Sequence, residues 1–303
     1  MEFTDPSSTI GIAGTGRMGT ALATRLLGLG HSVVVWNRTA EKTEKLAGAG
    51  AGVATSPSEL ASAAEIVLTS LSDSGALVST YSGVNGLLVG DVAGHLFIEM
   101  STLQPADVQA LAIEVRSKGA ALIDCPVGGS VGPALEGRLF GFVGGEMSDV
   151  IRARPLLDRL CRRVEHLGPV GAGSRMKLAI QLPLHVYWQT LGEALAICEP
   201  LGLDPARLVD ILADTPGASN VLKERGGIIT SALRGEPTGQ PAFDIDAVRK
   251  DLRSMVAEAQ ALGRCSPMAE VALETFDEVA REGLGGENAA VLTRRWVERG
   301  AAR

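Results

Sequence analysis

The first half of the chain alternates short apolar runs with longer amphipathic segments. The runs are rich in β-branched residues, which is typical of buried strands, and they occur at STIGIA, SVVVWN, AEIVLTSL, GHLFIEM and AALIDCP. Between the first two runs, TALATRLLGLG has the apolar period of a helix and ends in glycine. The last strands are predicted at GRLFGFVGG and RRVEHLG, and the pattern stops near residue 168. Such alternation of strands and helices indicates βαβ units and a parallel sheet.

From Ser174 onward the pattern is almost entirely helical. The segment SRMKLAIQLPLHVYWQTLGEALAICEPLGL predicts one helix of about 28 residues, and Pro183 inside it predicts a kink or a shifted boundary. Because this helix is apolar all round, we expect it to be buried between domains or between subunits. Further helices are predicted at DPARLVDILADT, AVRKDLRSMVAEAQALG and around SPMAEVALETFDEVARE, and a loop at RGEPTGQPA.

These patterns predict an α/β Rossmann domain followed by an all-α C-terminal domain, joined by a long interdomain helix. The expected domains are residues 1–168, which would bind the cofactor, and residues 169–303, which would bind substrate and dimerise. The 46% hydrophobic and 21% charged content is ordinary for a globular protein.

Charge, polarity and cysteine spacing narrow the class of partner. The formal net charge of −7 argues against a nucleic-acid or anionic-membrane partner. No apolar stretch approaches the ~18 residues of a membrane span, and the polar start MEFTDPSST does not resemble a signal peptide. We therefore expect a cytoplasmic protein. The cysteines lie far apart without metal-site spacing and are each expected to be small buried residues; they are Cys125, Cys161, Cys198 and Cys265.

A glycine-rich turn follows the first predicted strand and opens the first predicted helix. Gly14 permits a tight turn, Gly16 lets the backbone approach a pyrophosphate, and Gly19 allows close packing of helix and strand. The helix N-terminus then offers free N–H groups to the phosphates. The predicted cofactor site also includes the residues between the glycines, Thr15, Arg17 and Met18.

The end of the second predicted strand indicates which dinucleotide binds. NAD(H) usually requires an acidic residue there for the ribose hydroxyls, but the chain has Asn37, followed by Arg38 and Thr39. An arginine neutralises a 2′-phosphate and stacks on adenine, and Asn37 and Thr39 are expected to donate hydrogen bonds. NADP(H) is therefore predicted in preference to NAD(H).

Several segments in order resemble one enzyme family. IGIAGTGRMGTALATRLLGLGHSVVVWNRT resembles the N-terminal signature of the β-hydroxyacid dehydrogenases, the 3-hydroxyisobutyrate dehydrogenase group. Further segments that resemble this family are YSGVNGLL, MSTLQP, DCPVGGSVGPALEGRLFGFVGG, GPVGAGSRMKLAIQ and FDIDAVRKDLRSM. The resemblance spans about residues 9–290 and implies an NAD(P)-dependent dehydrogenase or reductase acting on CH–OH.

Alcohol–carbonyl interconversion requires a side chain that moves a proton to or from oxygen. Lys177 is the candidate acid/base, because it lies early in the apolar helix and matches the lysine of the family motif G-x-G-x-x-x-K-x-x-x-N. Gln181 lies four residues later on the same helix face and is expected to bind the substrate hydroxyl. The family usually has asparagine there, and its tartronate semialdehyde reductase branch accepts glutamine.

The resemblance also implies substrate contacts on two loops and one helix. Gly128, Gly129 and Ser130 are expected to form a cluster of backbone N–H groups for a substrate carboxylate, with Gly128 in place of the family's serine. Lys250 is expected to approach the nicotinamide or the substrate carboxylate, and Asp251 to orient a lysine. The remaining implied contacts are Ser101 with substrate, Thr102 with the nicotinamide, and Leu71 and Ser72 with the adenosine.

The leading hypothesis is an NADP-dependent oxidoreductase that interconverts a small β-hydroxy acid and its semialdehyde. An NADPH-dependent imine reductase is the alternative on the same fold, although those enzymes usually replace the lysine. The bulky set Pro183, His185, Tyr187 and Trp188 indicates either a less polar substrate or simple core packing. A non-catalytic dinucleotide-binding interaction module is the alternative of another class. The apolar helix predicts a homodimer, alone or as a dimer of dimers.

Overall fold

A computed structural model of the chain describes residues 9–241 and 243–300, without the side chains of 299 and 300. The prediction that the chain has no signal peptide rests on the polar start, most of which lies outside the described residues. The chain divides between Lys177 and Leu178 into two compact units. Each unit has its own hydrophobic core.

The first unit is built on one sheet, in which nine strands are found among the described residues. In chain order the strands are β1 Ile10–Ala13, β2 Val33–Trp36, β3 Gly52–Val53, β4 Ile66–Thr69, β5 Leu96–Glu99, β6 Ala121–Asp124, β7 Val127–Gly128, β8 Leu139–Gly144 and β9 Cys161–Gly168. All seven strands predicted from apolar runs are confirmed. The two short strands β3 and β7 were not predicted.

The strand order explains where the ends of the strands meet. The sheet runs β3-β2-β1-β4-β5-β6-β8-β7, and β9 pairs with β8. Strands β1 to β6 are parallel, whereas β8 is antiparallel to β6 and β7. The carboxyl ends of β1, β4, β5 and β6 therefore lie along one edge, where open α/β sheets place their ligands.

Helices cover both faces of this sheet. They are α1 Arg17–Gly28, α2 Glu44–Gly48, α3 Pro57–Ala63, α4 Ser74–Ser82, α5 Pro105–Ser117, α6 Val131–Leu135 and α7 Met147–Leu160. Successive strand residues point to opposite faces. Leu96 and Ile98 therefore join the cluster with α1 and α7, while Phe97 joins the cluster with α3, α4 and α5. Burial on both faces is the reason these strands are continuously apolar.

The long predicted helix is confirmed as α8 Ala172–Cys198, of 27 residues. It continues through Pro183, so no helix boundary lies at that residue. Within the single chain α8 is not buried all round, because Ile180 is 40% exposed and Ile197 is 80% exposed.

The second unit is helical. Beyond α8 it contains α9 Pro205–Ala213, α10 Asn220–Arg234, α11 Ile245–Ala261, α12 Pro267–Val279 and α13 Val291–Gly300. Its core joins Trp188 and Leu195 of α8 to Ile229 of α10, Leu252 of α11 and Phe276 of α12. Trp188 is thus a core residue, which explains part of the bulky set by packing.

Several finer expectations are also settled. Helices α9, α11 and α12 match their predicted segments, whereas α10 and α13 were not predicted as separate helices. The predicted loop holds for residues 235–241, and Ala242 lies outside the described residues. Cys125 and Cys161 are buried as expected, but the expectation for Cys265 is wrong, because it is exposed where a turn follows α11.

None of the helices in residues 9–241 and 243–300 is both long and apolar enough to span a bilayer. The same residues contain no cluster of three or more histidine, cysteine, aspartate or glutamate side chains able to hold a metal ion.

Candidate functional site

The glycine-rich turn has the geometry that a phosphate-binding turn requires. Gly14 has φ 95°, and a Cβ there would lie 2.2 Å from the Ser70 carbonyl oxygen. A Cβ on Gly19 would lie 1.9 Å from the Gly14 carbonyl oxygen, so α1 packs directly on the turn. Gly16 is different, because a Cβ there would meet no atom within 4 Å. The turn is therefore closed on its inner side and open at Gly16.

A cavity of about 480 Å³ opens beside this turn. Seven residues of the predicted cofactor site line it: Gly14, Gly16, Asn37, Arg38, Thr39, Leu71 and Ser72. Gly16 N-caps α1 and has no side chain, and a helix N-terminus carries the positive end of the helix dipole. A pyrophosphate fits this arrangement, since a bare backbone and a helix N-terminus are what it binds.

The remaining predicted cofactor residues lie outside the lining of this cavity. Thr15 is buried, and its N–H donates to Asn37 Oδ1 at 3.0 Å. Met18 packs against the core cluster. Arg17 is exposed at the start of α1, and Thr102 is half-buried after β5. Their cofactor contacts stay predictions.

The lip of the cavity after β2 is cationic. Asn37 uses its amide within the loop, because Oδ1 accepts from Thr15 and Nδ2 donates to the Thr39 carbonyl at 2.9 Å. Arg38 is exposed and lines the cavity, as does Lys42, which lies one turn further along the chain. Sequence reasoning missed Lys42, although it follows Arg38 by four residues.

Ser101 supports the part of the cavity wall that is formed by the loop after β4, which contains Leu71. The Leu71 N–H donates to Ser101 Oγ at 2.7 Å, and the Ser101 N–H donates to Glu99 Oε1 at 2.8 Å. Ser101 is only 4% exposed. Ser101 therefore supports the loop that presents Leu71 to the cavity. Its contact with substrate stays a prediction.

Asp124, at the end of β6, anchors the start of α8. Its Oδ1 accepts from the Gly171 N–H at 2.8 Å and its Oδ2 from the Ser174 N–H at 2.7 Å. Burial raises the pKa of this carboxyl, and the backbone donors of Gly171 and Ser174 oppose the shift. A charged oxygen that accepts the N–H groups of a helix start is well placed against the helix dipole.

Lys177 lies one turn after Ser174, beside the predicted substrate loop. Its Nζ donates to the Val127 carbonyl at 2.9 Å, and Val127 begins the segment that continues into Gly128, Gly129 and Ser130. Gly128 belongs to β7, Gly129 has φ 120°, and Ser130 N-caps the short helix α6. The structure thus brings together the candidate acid/base and the candidate carboxylate loop within the first unit.

The other predicted substrate residues lie in the second unit. Lys250 Nζ is 3.1 Å from Asp251 Oδ1, and His185 Nε2 is 3.7 Å from Asp251 Oδ2. Burial disfavours the charged form of Asp251, but His185 and Lys250 outweigh it and lower the pKa. His185 is fully buried and stacks on Phe243, with ring centroids 5.4 Å apart. Gln181 is 8% exposed, and its Oε1 lacks a hydrogen-bond partner among the described residues.

The sequence analysis did not name Glu99 or Asp124, and it named His185 only as part of the bulky set, without its supporting role beside Asp251. The signal for Glu99 and Asp124 was present, because each acid lies near the carboxyl end of a predicted buried strand. Two adjacent parallel strands place such residues side by side at the ligand edge. Nothing in the sequence indicated the pairing of His185 with Asp251, which depends on how α8 and α11 pack.

Two family models match consecutive parts of the chain. The model described as the NAD binding domain of 6-phosphogluconate dehydrogenase matches residues 9–168. The model described as NAD-binding of NADP-dependent 3-hydroxyisobutyrate dehydrogenase matches residues 171–296. Together they cover both units.

Individual relatives that the chain resembles are likewise dehydrogenases and reductases. The chain is 33% identical to 3-hydroxyisobutyrate dehydrogenase of Pseudomonas aeruginosa, over 88% of this chain and 90% of the relative. It is 28% identical to glyoxylate/succinic semialdehyde reductase 2, chloroplastic, of Arabidopsis thaliana, over 95% and 81%. The structure of Mycobacterium tuberculosis 3-hydroxyisobutyrate dehydrogenase with L-serine has a TM-score of 0.83 and 26% identity, covering 95% of this chain and 99% of that one.

An imine reductase from Pseudomonas sp. shares the fold at a greater distance. Its TM-score is 0.63 at 19% identity, covering 94% of this chain and 98% of that one.

Substitutions at two glycines of the turn are expected to affect cofactor binding and protein stability separately. Gly16→Ala places a methyl group in open space, so the free energy of unfolding should change by less than about 0.5 kcal/mol. The same methyl group blocks the pyrophosphate, so affinity for NADPH should fall about tenfold or more. Gly19→Ala should instead lose about 1–3 kcal/mol of stability through the clash with Gly14. Urea denaturation and titration of nicotinamide fluorescence measure the two quantities.

Gly28→Ala is the matched control on the same helix, because a Cβ there meets no atom within 4 Å. It should leave both quantities unchanged or raise stability slightly. Full NADPH affinity in Gly16→Ala would exclude this turn as the phosphate site.

Proposed function

We propose, from the premise that this chain belongs to the 3-hydroxyisobutyrate dehydrogenase group of the β-hydroxyacid dehydrogenase family, that it interconverts a small β-hydroxy acid and its semialdehyde with NADP(H). That the chain is an NAD(P)-dependent dehydrogenase or reductase follows from its family. The observation that supports the proposed reaction best is the bond from Lys177 Nζ to the Val127 carbonyl. It fixes an ammonium group next to a loop suited to a carboxylate.

In the proposed reaction, residues of the chain transfer a proton and bind the substrate carboxylate. The nicotinamide supplies the hydride in reduction and accepts it in oxidation. In reduction, Lys177 donates a proton to the carbonyl oxygen as the C–H bond forms; in oxidation it removes the hydroxyl proton. Lys177 Nζ carries three N–H groups as an ammonium, and one of them donates to the Val127 carbonyl at 2.9 Å.

Substrate orientation is assigned to three groups of residues. The backbone of Gly128, Gly129 and Ser130 is proposed to hold the substrate carboxylate. Gln181, four residues after Lys177 on α8, is proposed to bind the hydroxyl, and its partnerless Oε1 supports this role. Lys250 is proposed as a second carboxylate contact, with Asp251 holding its ammonium group at 3.1 Å.

The preference for NADP(H) is supported by charge at the cavity lip. Arg38 and Lys42 both line the cavity, and Asn37 occupies the position where NAD(H) enzymes have an acidic residue. The family model that matches residues 171–296 is likewise described by an NADP-dependent enzyme. Two cations facing one side of the cavity suit the dianionic 2′-phosphate.

Removal of these two cations should weaken the binding of NADPH much more than the binding of NADH. In Arg38→Ala/Lys42→Ala the KM for NADPH should rise about 10- to 100-fold, or about 1.4–2.8 kcal/mol. Solvent screens the two exposed cations, so their joint contribution should be near that of one charged hydrogen bond, about 1.5–3 kcal/mol. The KM for NADH should change by less than about threefold on the same argument. Lys45→Ala is the matched control, an exposed lysine of α2 that does not line the cavity. Equal losses for both cofactors would contradict the assignment.

Replacement of Lys177 should abolish most turnover without loss of cofactor binding. NADPH oxidation is followed with a panel of semialdehydes, 2-oxo acids and cyclic imines. We expect a semialdehyde to be reduced and Lys177→Ala to lose about 10²–10⁴-fold in kcat, the usual contribution of a general acid. Lys118→Ala, an exposed lysine after α5, should behave as wild type.

The same panel separates the alternatives. Turnover of imines alone, or a dispensable Lys177, would favour an imine reductase on this fold. NADPH binding without turnover of any acid, aldehyde or imine would favour a non-catalytic dinucleotide-binding module.

A homodimer is the proposed assembly. The apolar residues that α8 leaves exposed, Ile180 at 40% and Ile197 at 80%, support it. Light scattering after gel filtration should give about twice the chain mass of 31.4 kDa at micromolar concentration. A mass of one chain would exclude the homodimer, and a mass of four would indicate a dimer of dimers.

A further inference from the structure

Glu99 is a fully buried acid at the end of β5, flanked by the ends of β4 and β6. Its Oε2 accepts from the Thr69 hydroxyl at 2.5 Å, and its Oε1 accepts from the Ser101 N–H at 2.8 Å. Thr69 Oγ1 lies 3.0 Å from the Tyr81 hydroxyl. Since the Thr69 proton points at Glu99, Tyr81 is the donor in that pair.

Through these bonds the single carboxylate supports two walls of the cofactor cavity. Ser101 holds the N–H of Leu71, which lines the cavity together with Ser70 and Ser72. Tyr81 belongs to α4, and that helix lines the cavity through Ala76, Ser79 and Thr80. The loop after β4 and helix α4 therefore both depend on groups bonded to Glu99.

The bond from Thr69 requires Oε2 to accept, and the bond from the Ser101 N–H requires Oε1 to accept. A proton on Oε2 would force the Thr69 hydroxyl toward Tyr81, whose own proton would then lose its buried acceptor. A proton on Oε1 would face the Ser101 N–H. In either case a buried donor loses its partner, which costs about 1–3 kcal/mol.

The charge of this carboxylate changes near neutral pH. Burial raises its pKa to about 7, against the hydrogen bonds of Ser101 and Thr69 and with the help of the Asp124 charge. Tyr81 and Asp124 are the titratable groups against it from α4 and β6. Helix α7 also packs on β5, but its Arg152 bonds the Gly94 carbonyl at the other end of the strand.

We propose that the ionised carboxylate of Glu99 is a positioning group for the dinucleotide, which sets the Leu71 loop and helix α4 and releases one of the two when it is protonated. The dinucleotide then binds tightly to the ionised protein and weakly to the protonated one. The inference rests on the cofactor cavity of the proposed function but not on its substrate or on Lys177.

The test is a binding titration without substrate, followed by nicotinamide fluorescence between pH 6 and pH 8.5. For wild type, affinity for NADPH should fall as the pH drops through about 7 and be about tenfold weaker at pH 6 than on the alkaline plateau. NADH is titrated in parallel, because it lacks the 2′-phosphate, which itself titrates. The step near pH 7 should appear with both cofactors.

Glu99→Gln keeps the size of the side chain and mimics the protonated form. It should bind NADH, which lacks the titrating 2′-phosphate, about as weakly at every pH as wild type does at pH 6, and the NADH profile decides the outcome. Glu65→Gln is the matched control, an exposed glutamate just before β4, and should retain the wild-type profile. A flat wild-type profile, or a step that persists in Glu99→Gln, overturns the proposal; persistence would assign the proton to another group such as Asp124.

A second variant keeps the acid and moves its titration. Thr69→Val removes a hydrogen bond that lowers the pKa of Glu99, so the midpoint of the profile should shift to higher pH. This variant decides the question even where Glu99→Gln does not fold. Uniformly weaker binding with an unchanged midpoint would show that the network is merely structural and would overturn the proposal.

Discussion

The bond between the Asp124 carboxylate and the start of α8 is the constraint on which the proposed chemistry depends. Asp124 ends β6, so its position is fixed by the sheet, and its two oxygens take the N–H groups of Gly171 and Ser174. The close approach of Gly173 adds to this, because a Cβ there would lie 2.1 Å from the Phe142 carbonyl oxygen. Lys177 follows after one turn. Its ammonium group is therefore aligned by the backbone of a rigid sheet rather than by a loop.

The first unit uses buried acids and exposed cations in different ways. Two of its acids, Glu99 and Asp124, are buried at the strand ends, where they accept backbone N–H groups and hold neighbouring segments in place. Two of its cations, Arg38 and Lys42, are exposed and line the cofactor cavity. Buried acids are costly unless their oxygens are satisfied, so they suit fixed roles, while solvated cations suit reversible binding.

Much of the fold could be predicted because its signals are local. Seven strands, the first helix and the long helix follow from apolar periodicity and glycine punctuation. Helix α10 escaped prediction because Gly226 and Gly227 interrupt its pattern. It is stable because Ser219 caps it and because Gly226 sits close to Val209, which a Cβ would approach to 3.2 Å. Strand β7 has only two residues and owes its existence to β8.

The candidate site was predictable to the extent that its residues act alone. The turn glycines and Arg38 occupy positions that their own type explains. That Lys42 lines the cavity depends on how the short turn after Thr39 folds, which its residue type does not indicate. The roles of Glu99 and His185 required tertiary contacts, since an acid at a strand end or a histidine on an apolar helix is ambiguous until its neighbours are known.

Because Glu99 is buried, the stability of the protein without the dinucleotide and its affinity for the dinucleotide change with pH in opposite directions. A carboxyl whose pKa is raised by folding, here to about 7, stabilises the fold below its unfolded pKa, and this contribution is lost as the pH rises through the folded value. The cavity is best formed in the ionised state, which is the state that costs the fold most. At neutral and alkaline pH the bound dinucleotide therefore offsets the cost of the buried charge, whereas in mild acid the neutral Glu99 stabilises the fold without it.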